Sequence, residues 1–182
     1  MKEWTSRERV LTAIDHQEPD RVPIIFGATL STDILECPPD GKNYTKLCHY
    51  LGIKNYEEPK LFFAFNSVMN IDERVIQRFH SDFRRIDPNP PEVVVKADGT
   101  KTVLGVYCGL RVEKMGYFDD VFDFPLKQFT SKKELKDYPY WPSPNDFHKL
   151  SVGKIEEAKD LRENTDYVIV VDNLLAFPFL MY

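Results

Sequence analysis

Apolar side chains recur along this chain at the three- and four-residue spacing of amphipathic helices, in stretches separated by short apolar runs. The first stretch follows Thr5-Ser6-Arg7-Glu8, which has the form of a capping box. Asp72 is a favourable N-cap for the third stretch, and Thr130 precedes the fourth. The predicted helices cover residues 6–16, 43–51, 73–79, 131–138 and 152–164.

Short runs rich in apolar and β-branched residues predict strands between these helices. We predict strands over 22–26, 83–87 and 167–171; residues 61–65 form either a strand or a buried loop. The last run is apolar on both faces, which is typical of a strand buried in a parallel sheet. Asp98-Gly99 between two β-rich runs predicts a hairpin, because such a turn needs positive φ at both positions. Alternating strands and helices indicate an α/β fold, in a single domain spanning 1–182.

Composition and charge exclude several classes of protein. The chain has 182 residues, 42% of them hydrophobic, and a net charge of −5 from 24 basic and 29 acidic residues. Nucleic-acid binding is disfavoured because basic residues do not cluster, and no run approaches the about 20 apolar residues of a membrane span. The three cysteines, Cys37, Cys48 and Cys108, show no CxxC spacing and indicate reduced thiols in a cytoplasmic protein.

Four blocks of sequence agree in order and spacing with one enzyme family across nearly the whole chain. They are 5–11 with 16–23, 72–76 with 82–86, 138–142, and 156–170. On these blocks the sequence resembles the uroporphyrinogen decarboxylase (URO-D) family, in particular its branch related to corrinoid (methylcobamide) methyltransferases. The resemblance implies the N-terminal part of a (β/α)8 TIM barrel, with the hairpin as an insertion and the active site at the C-terminal ends of the strands.

The loop after the first predicted strand distinguishes two activities within that family. Uroporphyrinogen decarboxylases carry an arginine-rich R-Q-A-G-R-Y motif there, whereas residues 26–33 read F-G-A-T-L-S-T-D. Without bidentate arginines for the substrate's carboxylates, the resemblance favours corrinoid (cobalamin) dependent methyl transfer to a thiol, with zinc activating the thiol. The alternative is the lyase reaction of porphyrin biosynthesis, uroporphyrinogen decarboxylation, which needs no cofactor.

Length suggests an incomplete barrel. An eight-fold barrel needs about 250 residues, and residues 174–182 are apolar except for Pro178. We therefore expect a fragment that lacks the family's C-terminal zinc ligands, so that corrinoid and zinc are implied for a full-length parent and no metal ligand is assigned. Its partners would be a small-molecule substrate or a corrinoid protein. A third hypothesis is a non-catalytic half-barrel interaction module that self-associates through its open edge.

Polar residues after the predicted strands are the candidate site, because barrel active sites lie at those strand ends. The candidate catalytic residues are Asp33 and Asp87, and the candidate substrate-binding residues are Thr29, Ser31, Asp172 and Asn173. Each aspartate also has a structural alternative: Asp33 in a solvated Asx-type turn, and Asp87 as the start of an Asp-Pro turn.

Other residues have simpler explanations than chemistry. His16 and His80 fall near predicted helix C-termini, where the helix dipole favours a cationic ring. Cys48 and His49 would bind a metal only together with a third ligand, and Cys48 lies on an apolar helix face. The aromatic residues of 117–129 either fill a core or cover the face of a tetrapyrrole or corrinoid.

Overall fold

The computed structural model describes residues 4–28, 32–36, 40–62, 67–115 and 118–171. These residues form a mixed α/β structure of helices and two small sheets. The helices are α1 Ser6–Ile14, α2 Asn43–Tyr50, α3 Glu73–Arg78, α4 Lys132–Lys136, α5 Pro144–Ser151 and α6 Lys154–Asn164. The strands are β1 Phe83–Ile86, β2 Val93–Val95, β3 Lys101–Val103, β4 Leu110–Met115, β5 Phe118–Asp123 and β6 Val168–Val171.

The described residues divide into two compact units. The first contains those up to Leu61, those from Ser67 to Asp87 and those from Gly153 to Val171. The second contains Phe62 and the described residues from Pro88 to Val152. Each unit has its own sheet, and the two sheets differ in strand direction.

The sheet of the first unit is a parallel pair. β1 pairs with β6 in a register that runs from Phe83 opposite Val168 to Ile86 opposite Val171. The two predicted strands and the parallel pairing are confirmed. The expected burial of both faces of β6 is wrong, because its residues are only half-buried and Val171 is 60% exposed. Within the described residues no sheet closes into a barrel.

The prediction of a strand over 22–26 is wrong: these residues have no regular secondary structure and belong to no sheet among the described residues. Their backbone is held beside Asp82 instead: Ile24 N donates to the Asp82 carboxylate over 2.8 Å, and Asp82 N donates to Ile24 O over 2.8 Å. Pro23 has no N–H to donate, so regular ladder pairing is interrupted at this point. Val22, next to Pro23, is 79% exposed.

The first two helices follow the local chemistry that predicted them. Thr5 and Glu8 form the capping box of α1 through a 3.1 Å bond from Glu8 N and a 3.0 Å bond from Thr5 N. α1 ends at Ile14, two residues before the predicted end, and buries Arg9 and Val10. In α2, Tyr44 and Cys48 are fully buried in a core with Ile53, Val68 and Val75.

The second unit contains the predicted hairpin and two strands that the sequence did not reveal. β2, β3, β4 and β5 form an antiparallel sheet in that order. Its core consists of Val103, Val106, Tyr107, Leu110 and Val112. The hairpin is confirmed, but its turn is longer than predicted, since Lys96 N donates to Thr100 O and only Gly99 of the Asp98-Gly99 pair has positive φ.

Two predicted helices have different bounds in the structure. α4 is capped by Ser131 rather than Thr130, with the Glu134 side chain completing a capping box. The helix predicted over 152–164 is preceded by a separate helix, α5, whose capping box is made by Ser143 and Asp146. Gly153, with φ of +76°, separates α5 from α6. No described helix has both the length and the apolar character needed to cross a membrane.

Candidate functional site

Both candidate catalytic aspartates contact the same arginine, Arg85, in the first unit. Arg85 Nη1 donates to Asp33 Oδ2 over 2.5 Å, and Arg85 Nε lies 2.8 Å from Asp87 Oδ1. The exposed fractions of the side chains are 4% for Arg85, 0% for Asp33 and 19% for Asp87. We call these residues the Asp33–Arg85–Asp87 cluster. Asp33 is buried against Arg85, which excludes a solvated turn for its side chain.

Strand β1 positions the arginine of this cluster. Successive side chains of a strand point to opposite faces, so Arg84 and Arg85 diverge although they are adjacent. Arg84 pairs with Glu73 through bonds of 2.8 and 2.6 Å, and its guanidinium lies 3.4 Å from the centre of the Tyr167 ring. Arg85 is therefore the arginine left to face Asp33, while Asp87 follows the last residue of β1.

The electrostatics of the cluster favour uptake of a proton. Burial raises the pKa of Asp87 above its ordinary value, Arg85 and Lys154 lower it, and the nearby Asp33 carboxylate raises it; the net pKa is raised. Burial lowers the pKa of Arg85, but the two aspartates raise it by more than burial lowers it. The net pKa is raised, so the guanidinium stays charged. Two carboxylates thus face one cation, and a proton on Asp87 makes the cluster neutral.

The structure describes only some of the other residues that the sequence singled out. Thr29, Ser31, Asp172 and Asn173 lie outside the described residues. His16 and His80 each follow a helix C-cap with positive φ, 57° and 54°, in agreement with the helix ends predicted there. Of the aromatic run, Phe129 packs edge-on against Tyr138 in the second unit, with ring centres 5.3 Å apart.

A second buried carboxylate, Asp82, precedes β1 and was not among the candidates predicted from the sequence. Its side chain is fully buried and accepts bonds from five donors of the first unit. These are Ser6 Oγ at 2.8 Å, Arg9 Nη1 at 2.6 Å, Arg21 Nη1 at 2.8 Å, Arg21 Nη2 at 2.9 Å and Ile24 N at 2.8 Å. Burial raises the pKa of Asp82, but these donors lower it more, so the carboxylate remains ionised with a net lowered pKa.

Arg85 was also missed, although the pattern Asp-Phe-Arg-Arg-Ile-Asp contained a usable indication. A charged residue inside a strand is rarely buried unless it is paired. Two arginines within one short strand therefore point to two acidic partners, which the structure identifies as Glu73 for Arg84 and Asp33 for Arg85. The sequence alone does not say which acid pairs with which arginine.

The donor set for the implied zinc ion is not found among the described residues. No group of three or more His, Cys, Asp or Glu side chains there could hold a metal ion. Cys48 lies in the core of the first unit, where burial raises the pKa of its thiol, and Cys108 is buried in the second unit. Cys37 lies outside the described residues. We therefore assign no step to a metal.

The chain matches no protein-family model, no curated protein and no solved structure. The chemistry of the Asp33–Arg85–Asp87 cluster and the four sequence blocks are therefore the basis for a functional assignment.

Proposed function

We propose that this chain belongs to the URO-D family, in the branch that transfers a methyl group from a corrinoid to a thiol, and that the Asp33–Arg85–Asp87 cluster is part of its active site. The supporting observation is that Asp33 and Asp87 both contact Arg85 at the C-terminal end of β1. β1 is paired in parallel with β6, and helix α6 precedes β6. In our proposal these elements are neighbouring βα units of a TIM barrel, which carries its active site at this end of the strands.

Arg85 and Asp87 have different roles in this proposal. Arg85 orients both carboxylates, because a guanidinium presents five N–H donors in a fixed plane. Asp87 is the more exposed of the two aspartates, 19% against 0%, and is therefore the one that reaches a substrate. Its ionised carboxylate accepts the proton of the thiol, which generates the thiolate nucleophile.

The corrinoid supplies the methyl group when it is bound. The thiol sulphur would accept that methyl group, and the described residues that would act on the thiol are Asp87, as the base, and Arg85, which orients Asp87. Asp87 holds the thiol proton and returns it to solvent, while Arg85 stays charged throughout because its pKa is raised by the two aspartates.

Uroporphyrinogen decarboxylation is the second candidate, and the raised pKa of Asp87 favours it. A carboxyl group that keeps its proton to higher pH is a suitable acid for a pyrrole carbon before carbon dioxide leaves. The lack of arginine in residues 26–33 opposes it. Arg85 does not replace those arginines, because it is already engaged by two carboxylates of the chain itself.

The deciding experiment supplies purified full-length chain with both sets of reactants. In one assay, methylcobalamin and 2-mercaptoethanol are incubated with the protein and zinc chloride, and the loss of methylcobalamin absorbance is followed. In the other, uroporphyrinogen III is supplied and the number of carboxylates on the product is determined. Thiol-dependent demethylation supports the first activity, and loss of carboxylates supports the second.

The variants Asp87→Asn and Asp33→Asn test the cluster itself. Loss of the base in Asp87→Asn should lower turnover by about 10²- to 10⁴-fold, whereas Asp33→Asn tests the carboxylate that holds Arg85 in place. The matched control is Asp15→Asn, because Asp15 is exposed in the same unit, and we expect it to keep full activity. Absence of turnover in both assays, from protein shown by circular dichroism to be folded, overturns the proposal. A discrete dimer in light scattering would then favour the interaction module.

A further inference from the structure

The antiparallel sheet of the second unit has one buried face and one polar face. Val103 and Leu110, which are cross-strand partners, lie on the buried face. Thr102 and Arg111 are the next pair along the same strands, so they point to the opposite face. Lys96 shares that face, because it lies two residues after Val94, the partner of Thr102.

A cavity of about 400 Å³ lies against this polar face, within the second unit. Its lining includes Lys96, Thr102 and Arg111 from the sheet and its turn, and Phe129, Tyr138 and Tyr140 from the chain that follows the sheet. A volume of this size is in the range of small-molecule sites, which combine apolar walls with a few convergent polar groups. None of these side chains is a candidate catalytic residue, and none takes part in the proposed methyl transfer.

The aromatic wall of the cavity is held in place by specific contacts. Tyr138 Oη donates to Cys108 O over 2.5 Å, and the Tyr138 ring packs edge-on against Phe129 and Tyr140 at 5.3 and 5.6 Å. Gly109 lies directly beneath the Tyr140 ring: a Cβ at this position would be 2.8 Å from Tyr140 Cδ2. The wall is therefore preformed, which reduces the entropy lost when a ligand binds.

The residues that the sheet and its turn contribute to the lining provide two cations for an anionic group, Lys96 and Arg111. Arg111 Nη1 pairs with Asp123 Oδ2 over 2.9 Å, and one carboxylate engages at most two of the five N–H groups of a guanidinium. Among the described residues no carboxylate lies within 4 Å of Lys96 Nζ, although Asp98 is near enough for its carboxyl to be influenced by Lys96. Both cations therefore keep donors for an additional acceptor.

We propose that this cavity binds a small planar aromatic carboxylate. Its ring packs against Tyr140 and Phe129, and its carboxylate lies between Lys96 and Arg111. The aromatic contacts provide burial of apolar surface, and the two cations select the anion over a neutral molecule of the same shape.

The probe is 2-naphthoate, titrated into the ¹⁵N-labelled full-length chain and followed by amide chemical shifts. We expect saturable shifts at the amides of Gly109 and Thr102, which lie at the cavity. The alcohol 2-naphthalenemethanol has the same ring without the charge, and we expect it to bind about tenfold more weakly because it lacks the charge-assisted hydrogen bonds.

The variants Lys96→Gln and Arg111→Gln are each expected to weaken 2-naphthoate binding about tenfold. Lys132→Gln is the matched control, because Lys132 is an exposed lysine of the same unit away from the cavity lining, and it should bind as the wild type does. Lys96 makes no ion pair among the described residues, so its variant should fold even if removal of Arg111 disturbs the sheet.

Three results would overturn the proposal. The first is equal affinity for the acid and the alcohol, which would mean that the cations do not contribute. The second is a set of shifts that excludes Gly109 and Thr102, which would place binding elsewhere. The third is the absence of saturable shifts up to about 10 mM 2-naphthoate, because a Kd above that concentration is too weak for a specific small-molecule site.

Discussion

The guanidinium of Arg9 and the carboxylate of Asp82, 73 residues apart in sequence, form a buried ion pair in which Nη1 donates to Oδ1 over 2.6 Å. Arg9 also binds Asp20 through bonds of 2.6 and 2.9 Å. The pair joins helix α1 to the residue that precedes β1. A buried charge whose partner is removed is strongly unfavourable, so these contacts hold the N-terminal helix against the strand that carries Arg85.

Asp82→Asn should therefore destabilise the first unit. The substitution removes one of the two carboxylates, Asp82 and Asp20, that neutralise the charge of Arg9, whose side chain is only 7% exposed. Breaking a buried ion pair costs about 3–5 kcal/mol. Urea unfolding followed by circular dichroism measures the change in free energy of unfolding. Asp15→Asn, at an exposed site of α1's C-cap, is the control and should change it by less than about 0.5 kcal/mol. A loss for Asp82→Asn as small as that of the control would contradict the structural role of the pair.

The pH dependence of stability should show a contribution from Asp87. Its folded pKa is raised above the ordinary value of 3.8, so the folded chain binds the proton more tightly than the unfolded chain does. As pH rises from 3.8 through the folded pKa, this group lowers the free energy of unfolding. Asp87→Asn should remove that slope, which urea unfolding at stepped pH measures. Identical slopes in the two proteins would show that the pKa of Asp87 is not raised.

Asp82 should have the opposite effect in the same experiment. Its folded pKa is lowered below 3.8, so its stabilisation is fully present above that pH. The contribution is lost as the pH falls from the unfolded value through the folded pKa. The acid limb of the stability curve should consequently flatten in Asp82→Asn. An unchanged acid limb would assign acid unfolding to other carboxylates.

Gly109→Ala should be more harmful than Gly99→Ala in the second unit. Both glycines have positive φ, +73° and +86°, which costs an alanine about 1–2 kcal/mol. At Gly99 nothing lies within 4 Å of the added Cβ, whereas at Gly109 the Tyr140 ring lies 2.8 Å away. Overpacking adds about 1–3 kcal/mol at Gly109 alone. Comparable losses in thermal unfolding for the two variants would mean that Tyr140 moves aside freely.

The capping box of α1 predicts different results for two substitutions of Thr5. Thr5→Ala removes the oxygen that accepts from Glu8 N over 3.1 Å and should cost about 1 kcal/mol. Thr5→Ser keeps the hydroxyl and should retain the stability of the wild type. Urea unfolding of the three proteins makes the comparison. Equal losses in both variants would attribute the effect to packing of the Thr5 methyl group.

Local chemistry explains which elements were predicted correctly. The Thr5 and Asp72 caps, the Tyr44–Cys48 face of α2 and the Asp98-Gly99 hairpin depend on residues close together in sequence. β1 and β6 were predicted from apolar and β-branched runs. Two predictions failed for different reasons. Within the described residues, 22–26 pair with no strand, and the adjacent strands β4 and β5 form a hairpin that their sequence pattern does not show.

The sequence by itself determined the type and approximate position of most elements, and it selected Asp33 and Asp87 from their positions after predicted strands. The tertiary structure decided that Arg85, 52 residues from Asp33, brings the two aspartates together while Arg84 turns to Glu73. The reason is that helix caps and turns are made by neighbouring residues, whereas the pairing of buried charges depends on which chain segments pack together. That choice depends on the whole fold, because each buried charge must find a partner within it.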